Sequence, residues 1–311
     1  MKRLFLLLTA ALLCGASVLT SCKKDEETTK VSEEKSGIAL IVKRGQIEYW
    51  RQIESIFRGI CQEKGLEAYY YSTTSEIAYQ EQVAAVAELR KLSSKQLKGI
   101  ICAPSYGPNG ESAETEIAAL ANERGIPVVI LDSPVGSESP LADRPYFGTD
   151  NAAAGRAMAA EVTADRIAAI AMLNSPGIER AEAFKVLKPN TEIYRVGDSA
   201  VREVESILDT YDDFVFFNGN DLVGAVEMLK NANKNVYTFD IYEEFLDELI
   251  AGSSFFKGIM AQNTFVMTQK AVDAVLTNAT EGELVPAFYI TSANLNDANV
   301  QPFLQFYNKA Q

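Results

Sequence analysis

The sequence contains no histidine, only four cysteines and a single tryptophan in 311 residues. Without histidine, the chain can form neither a Ser-His-Asp triad nor a Cys-His pair, and it lacks the commonest ligand of transition metals. A formal net charge of −13 also argues against a nucleic-acid partner, because nucleic acids require a basic protein surface. These absences remove the commonest catalytic and metal-binding chemistries before any motif is considered.

The usual motifs for phosphate, metal and serine-nucleophile chemistry are missing as well. No GxGxxG follows a predicted strand, no GxxxxGK[ST] occurs, and neither EF-hand spacing nor GxSxG is present. We therefore expect no catalytic residues, no cofactor and no metal site. A glycoside-active enzyme stays open as an alternative, since Asp132 and Asp240 could meet the separation of about 5–10 Å that an acid pair needs.

The amino-terminal residues read as a targeting segment followed by a tether. A basic start and the apolar stretch LFLLLTAALLCGASVL predict a signal peptide over residues 1–21. The sequence LTSC that ends it resembles the lipobox of bacterial lipoproteins, which implies cleavage before Cys22 and lipidation of its thiol. An ordinary signal peptide with an incidental cysteine is the alternative. The charged residues 22–36 predict a flexible tether, which would leave the protein lipid-anchored in the cell envelope, on the periplasmic side or the outer-membrane surface.

Two cysteines remain once the signal peptide and Cys22 are set aside. Cys61 and Cys102 lie in the apolar stretches IFRGIC and GIIC, which indicates buried thiols that pack as small hydrophobic side chains. A disulfide between them is the alternative, because a protein of the cell envelope meets an oxidising environment.

From Gly37 onward, short apolar stretches alternate with helical patterns. Stretches such as GIALIV, KGIICA, IPVVILD and DFVFFN are apolar throughout, as expected for parallel strands covered on both faces. Together with the helical spacing of apolar residues between them, this predicts an α/β fold with doubly wound parallel sheets. About eleven candidate strands are too many for one compact sheet, and we expect the chain to cross between two lobes in the Pro-, Ser- and Gly-rich residues 132–145.

Polar residues follow almost every predicted strand. Ligands of open α/β sheets bind outside the carboxyl ends of the strands, so these residues are candidates for a binding site. Two lobes whose strand ends face each other would form a cleft of donors and acceptors suited to a small, neutral, hydroxyl-rich ligand. For any single position, ordinary loop polarity is the alternative. The main candidates are Arg44, Asp132, Asn174, Asn218, Asp240 and Gln262.

Several segments resemble the type I periplasmic binding proteins of the ribose-binding cluster. The stretches GIPVVILDSPV and FGTDNAAAGRAMAAEV are similar to recognisable segments of that family, and FVFFNGND with VYTFD is similar to its second lobe. The resemblance implies two Rossmann-like lobes joined by three hinge crossings, which close on one sugar and deliver it to an ABC permease. The implied lobes comprise residues 37–145 with 263–286, and residues 146–262 with 287–311.

The resemblance also implies individual binding residues. The paired aromatic residues of the family's cleft helix fall on Tyr49 and Trp50, and we expect at least one of these rings to stack on the ligand. The family's polar binding residues fall, in chain order, on Asp132, Asn218 (with Asn220 as the alternative register), Asp240 and Gln262.

Departures from the family pattern imply that the ligand need not be ribose. Glu48 lies in the stretch where the family often has an asparagine, and Ser133 stands where an arginine often follows the aspartate. Ile178 stands at the position of a second arginine, and we expect Arg180 to serve packing or a surface ion pair. Arg44 could restore one of the lost donors or could be solvent-exposed.

These features predict a solute-binding lipoprotein of an ABC-type importer that binds a monosaccharide or related polyol as a monomer. Its membrane contact would be through the lipid anchor only. A receptor of the same fold that reports a signal molecule or nucleoside to a sensor protein is the alternative, and a structural or adhesive lipoprotein is a further one.

Replacing Cys22 by serine should abolish lipidation, because the thiol is the predicted site of acyl-chain attachment. We expect Cys22→Ser to lose incorporation of labelled palmitate and to leave the membrane fraction when expressed with its signal peptide. Cys14→Ser is the matched control, since Cys14 lies inside the predicted signal peptide. Equal labelling of the two variants would contradict the lipobox interpretation.

Overall fold

The computed structural model describes residues 35–173, 176–197 and 199–309. The predicted signal peptide, nearly all of the tether, Cys22 and Asn174 lie outside the described residues. Within the described ranges, no helix is long and apolar enough to cross a membrane.

Twelve strands of the described chain form two six-stranded sheets. The first sheet is parallel throughout and has the order β11-β5-β4-β3-β1-β2. It consists of β1 (Gly37–Val42), β2 (Glu67–Ser72), β3 (Leu97–Cys102), β4 (Val128–Leu131), β5 (Tyr146–Thr149) and β11 (Glu283–Val285).

The second sheet repeats this arrangement with the order β12-β10-β9-β8-β6-β7. Its strands are parallel except for β12, which pairs antiparallel to β10. It consists of β6 (Ile167–Met172), β7 (Glu192–Val196), β8 (Asp213–Phe216), β9 (Asn235–Phe239), β10 (Phe256–Ala261) and β12 (Phe288–Ile290).

Helices cover both faces of each sheet. The first lobe consists of the first sheet and the helices packed on it, and the second lobe consists of the second sheet and its helices. The helices of the first lobe are α1 (Glu48–Glu63), α2 (Tyr79–Leu89), α3 (Glu114–Arg124) and α10 (Thr264–Thr277). Those of the second lobe are α4 (Asn151–Glu161), α5 (Pro176–Leu187), α6 (Val201–Ile207), α7 (Gly219–Leu222), α8 (Val226–Asn231), α9 (Glu243–Ile250) and α11 (Gln301–Phe306).

The apolar character of the central strands follows from this double cover. Successive side chains of a strand point to opposite faces, so alternate residues of β1 enter different apolar clusters. Leu40 packs with α1 and α10 on one face, whereas Ile41 packs with α2 and α3 on the other. The same division occurs in β6, where Ala169 and Ile170 belong to separate clusters. The predicted fold class, with parallel sheets wound on both faces, is confirmed.

The chain passes between the two sheets three times, after β5, after β10 and after β11. The first of these crossings differs from the sequence expectation, which placed it in residues 132–145 and the lobe boundary after residue 145. The structure pairs β5 with β4 in the first sheet, so the crossing lies between Thr149 and α4. Residues 132–145 are rich in turn residues because they join two neighbouring parallel strands without a helix, and that composition is the same for a loop within a lobe as for a crossing.

Both described cysteines are free and buried. Cys61 packs in the cluster between α1 and the first sheet, and Cys102 packs on the opposite face of the sheet. Burial raises the pKa of the Cys61 thiol to about 11 and also raises that of Cys102. The prediction of two buried thiols is confirmed, and the disulfide alternative does not describe this structure.

Gly155 allows α4 and α5 to pack closely, because a Cβ atom there would lie 2.1 Å from the carbonyl oxygen of Arg180. We expect Gly155→Ala to lower the free energy of unfolding by about 1–3 kcal/mol, since two backbones would have to move apart. Gly59→Ala is the matched control in α1, where a Cβ atom would meet nothing within 4 Å; it should be neutral or stabilising by up to about 1 kcal/mol. Urea unfolding measures the free energy of unfolding of both variants. A Gly155→Ala protein as stable as the wild type would contradict this packing argument.

Candidate functional site

The carboxyl ends of the parallel strands carry the predicted site residues. In each sheet the strand order reverses beside the first strand of the lobe, between β1 and β3 and between β6 and β8. Ligands of doubly wound sheets bind at such reversals, outside the carboxyl ends. Arg44 follows β1, Asp132 follows β4, Asn218 follows β8, Asp240 follows β9 and Gln262 follows β10.

Positive φ angles coincide with the charged members of this set. Six described residues other than glycine have positive φ angles, and three of them are asparagines, which tolerate this region. The other three are Arg44, Asp132 and Asp240, with φ angles of 46°, 64° and 62°. Such conformations persist where the surroundings enforce them, and they concentrate at functional sites. Aspartate adopts this region almost as readily as asparagine, so the backbone is strained chiefly at Arg44, while all three strand-end residues share the conformation.

Asp132 is held by hydroxyl groups from three sides. The Tyr49 hydroxyl donates to Oδ1 at 2.5 Å, and the Ser133 hydroxyl donates to Oδ2 at 2.8 Å. The Tyr146 hydroxyl donates to the main-chain oxygen of Asp132 at 2.7 Å. The first turn of α1, the end of β4 and the start of β5 thus meet at one buried aspartate.

Asp240 is the corresponding carboxylate of the second lobe. Gln262 Nε2 donates to its Oδ1 at 2.7 Å, and the main-chain N–H of Gly219 donates to its Oδ2 at 3.1 Å. Gln262 Oε1 in turn accepts from the Thr149 hydroxyl at 2.7 Å. The glutamine therefore links the carboxylate of the second lobe to the end of β5 in the first, and it does so beside two of the crossings.

The pKa of Tyr49 is affected by charged groups of both lobes. Burial raises the pKa of Tyr49 well above its usual value, and the charge of Asp132 and the hydrogen bond to it raise it further. The charge of Asp240 also raises this pKa, while the charge of Arg180 lowers it. The ionised groups that act on this one phenol of the first lobe thus come from both lobes.

Arg180 is a buried cation, so the surface ion pair that the sequence left open for it was wrong, whereas its burial fits the packing alternative. It is only 2% exposed, donates through Nε to Asn151 Oδ1 at 2.8 Å, and donates through a terminal nitrogen to the main-chain oxygen of Phe217 at 3.0 Å. Its guanidinium also lies 4.7 Å from the ring centroid of Phe239. It is thus not part of a surface pair. Its position on the buried stripe of α5, with Gly177, Ala181 and Phe184, was the signal that could have found it.

Three further predicted residues, Asn218, Asn220 and Arg44, make separate contacts. Asn218 Oδ1 accepts from the main-chain N–H of Met172 at 3.1 Å, which joins the ends of β6 and β8. Asn220 instead lines a separate cavity of about 520 Å³ between α1 and α9. Arg44 lies at the carboxyl end of the central strand β1, and its guanidinium is 3.8 Å from the carboxylate of its ion-pair partner Glu76.

Tyr49 and Trp50 are both buried, although helix neighbours point about 100° apart. Their rings meet edge to face with centroids 5.1 Å apart and belong to the same apolar cluster of the first lobe. The first turn of α1 is enclosed on two sides, since Tyr49 reaches Asp132 while Trp50 packs inward. Stacking of either ring on a ligand stays a prediction.

The two lobes touch each other along α1. Glu48 Oε1 accepts from the main-chain N–H of Glu243 at the start of α9, at 2.9 Å. Deeper in, Gln52 accepts from the Thr264 hydroxyl at 2.7 Å and donates to the Tyr307 hydroxyl at 3.3 Å. A first-lobe helix is therefore hydrogen-bonded to the second lobe both at the cleft mouth and near the hinge.

Residues 38–283 match the model of a family described as a periplasmic binding protein domain. The chain belongs to this family. The match covers both lobes up to β11, and together with the two wound sheets it confirms the resemblance to type I periplasmic binding proteins. The family is one of binding proteins rather than enzymes. No curated protein is similar enough in sequence to give a significant match.

Solved structures of similar fold share about a fifth of this sequence. A solute-binding protein from Agrobacterium vitis with bound D-fucose is 21% identical over 85% of this chain and 98% of its own, with a TM-score of 0.68. A Caulobacter myo-inositol binding protein is 19% identical over 85% and 96%, with a TM-score of 0.66. A glucose-galactose binding protein from Geobacillus stearothermophilus is 20% identical over 84% and 99%, with a TM-score of 0.62. At these identities the likeness establishes the fold.

The raised pKa of Tyr49 predicts a pH-dependent contribution to stability. A folded-state pKa above the unfolded value of about 10 means that the neutral phenol stabilises the binding protein below pH 10 and that this contribution is lost as the pH rises further. Tyr49→Phe removes the bond to Asp132, so it should cost about 1.5–3 kcal/mol near neutral pH and progressively less above pH 10. Urea unfolding of both proteins across this range measures the difference, and a difference that stays constant would be inconsistent with a buried, hydrogen-bonded phenol.

Proposed function

We propose that the protein binds a monosaccharide or related polyol between its lobes and closes on it by hinge rotation. The observation that carries the proposal is the pair of buried carboxylates, Asp132 from the first lobe and Asp240 from the second. Each follows a central strand and has a positive φ, and the charges of both act on Tyr49. A ligand placed between them would contact both lobes at once.

The chemistry of this volume suits adjacent hydroxyl groups. Carboxylate oxygens accept hydrogen bonds from hydroxyl groups, whereas Gln262 and Arg180 supply donors nearby. Aromatic faces complement the C–H side of a sugar ring, and Tyr49 lies at the same site. The solved structures of similar fold that contain D-fucose, tagatopyranose or myo-inositol support a ligand of this class.

Hinge closure follows from the three crossings between the lobes. Open and closed states of such a protein differ by a few kcal/mol, and a ligand that contacts both lobes favours the closed state. The bonds from Glu48 to α9 and from Gln52 to Tyr307 would add to the closed state, because each joins the two lobes directly. No step of covalent chemistry is needed for this function.

The cellular setting is part of the same proposal. Lipidation at Cys22 would anchor the monomeric protein in the cell envelope, on the periplasmic side or the outer-membrane surface, and the tether would hold the lobes away from the membrane. An ABC permease would receive the ligand. The structures of similar fold include a periplasmic component of an ABC-type sugar transport system from Hahella chejuensis, which supports this assignment.

Asp240→Asn should weaken ligand binding at least tenfold, because hydrogen bonds to a charged group contribute about 1.5–3 kcal/mol and the amide offers one acceptor instead of two. The ligand is first sought by thermal shift of residues 35–311 against neutral sugars, their acids and polyols, and calorimetry then gives Kd for the best binder. Asp143→Asn is the matched control, since Asp143 is exposed in the β4–β5 loop.

Unchanged affinity in Asp240→Asn would remove Asp240 from the site. A panel in which no compound raises the melting temperature would refute the proposed function, because a ligand at a hundredfold excess over Kd stabilises by about 2.7 kcal/mol.

A further inference from the structure

Arg44 is a cleft residue whose charged group has few partners. Its side chain is only 13% exposed, and its ion pair to Glu76 is 3.8 Å long, beyond hydrogen-bond distance. Among the hydrogen bonds of the described residues, none uses the Arg44 guanidinium. A guanidinium has five N–H donors in a planar fork that matches carboxylate or phosphate oxygens. Arg44 therefore presents unused donors at a largely enclosed position.

Two hydrogen bonds fix the main chain of Arg44. Its main-chain N–H donates to the Thr73 hydroxyl at 3.1 Å, and its carbonyl oxygen accepts from the N–H of Ile47 at 3.0 Å. These two bonds fix the residue at a φ of 46°, which is unfavourable for arginine. Among the described residues other than glycine, Arg44 is the only one with a positive φ that is neither an asparagine nor an aspartate.

Arg44 lies at the carboxyl end of β1, beside the reversal of strand order in the first sheet. The positive charge of Arg44 reaches Tyr242 at the start of α9 and lowers the pKa of that phenol, against the larger effect of burial. On the first-lobe side, Lys43 lies 3.2 Å from the same Glu76 carboxylate that Arg44 approaches. Two cations thus approach one carboxylate, and the nearby Glu48 carboxylate already accepts the main-chain N–H of Glu243.

The spacing between Arg44 and Asp132 fits one substituted sugar ring. Arg44 follows β1 and Asp132 follows β4, and β3 lies between these strands in the sheet. Two strand spacings of about 4.8 Å separate the strand ends by roughly 10 Å. A ring whose hydroxyl groups bind Asp132 would therefore direct a terminal substituent toward Arg44.

We infer that the ligand of this site carries an anionic group, a carboxylate or a phosphate, which the Arg44 guanidinium binds in a bidentate manner while Lys43 adds positive charge. The inference rests on the proposed function. It narrows the ligand, a monosaccharide or related polyol, to the anionic members of that class, which are sugar acids and sugar phosphates. It also differs from the neutral ligand that the sequence suggested, because the sequence showed neither the enclosure of Arg44 nor its unused donors.

Matched ligand pairs test the charge of the ligand. Calorimetry would compare D-galactose with D-galacturonate, and D-glucose with D-glucuronate and D-glucose 6-phosphate, with inorganic phosphate alone as a further arm. We expect at least one acid or phosphate to bind about tenfold or more tightly than its neutral partner. The carboxylate and phosphate arms distinguish the two sources of the anion.

Arg44→Asn tests the residue, because asparagine tolerates positive φ, as it does at three other positions of this chain. Affinity for the preferred anion should fall about tenfold to a hundredfold, whereas affinity for its neutral partner should change less than about threefold. Arg44→Lys keeps the charge but loses the bidentate geometry and should lie between these limits. Arg58→Gln is the matched control, since Arg58 is an exposed arginine of α1.

Neutral sugars that bind more tightly than their acids would overturn the inference and leave the proposed function intact. Equal anion affinity in the wild-type protein and Arg44→Asn would do the same. If no compound of either kind binds, the proposed function fails and the inference fails with it.

Discussion

The double cover of both sheets is the constraint on which the rest of the structure depends. Strands such as β1 are buried along their whole length, so neither face of a sheet can display polar groups to a ligand. Polar chemistry is therefore confined to the carboxyl ends of the strands, where the chain turns toward a helix or a crossing. Asp132 and Asp240 lie at such ends in opposite lobes, and Gln262 connects Asp240 to Thr149 at the end of β5 in the first lobe.

The site is assembled largely from hydrogen bonds that the protein makes to itself. Asp132 accepts from Tyr49 and Ser133, while Asp240 accepts from Gln262 and Gly219. These bonds orient the carboxylates before any ligand arrives, which reduces the conformational entropy lost on binding. Arg44 is the contrast, because its backbone is fixed while its donors remain available.

Much of this could be predicted from the sequence, and the failures have physical reasons. Uninterrupted apolar stretches and polar strand ends were sufficient for the fold class and for placing Asp132 and Asp240 at strand ends. The first crossing was misplaced because a turn-rich loop within a sheet and a turn-rich loop between sheets have the same composition. The surface-pair alternative for Arg180 was wrong because the burial of a cation depends on partners distant in sequence, here Asn151 and the main chain at Phe217.

The amide of Gln262 has a consequence for how the lobes can move. Its oxygen accepts from Thr149 beside the first crossing, and its nitrogen donates to Asp240 in the second lobe. Sliding one lobe past the other by an ångström would break bonds of 2.7 Å, whereas a rotation about this point preserves their length. We therefore expect the lobes to rotate about Gln262 rather than to slide past each other. The amide of Gln262 cannot be turned over. Its nitrogen would then face Thr149, and its oxygen would face the Asp240 carboxylate, which has no hydrogen to donate.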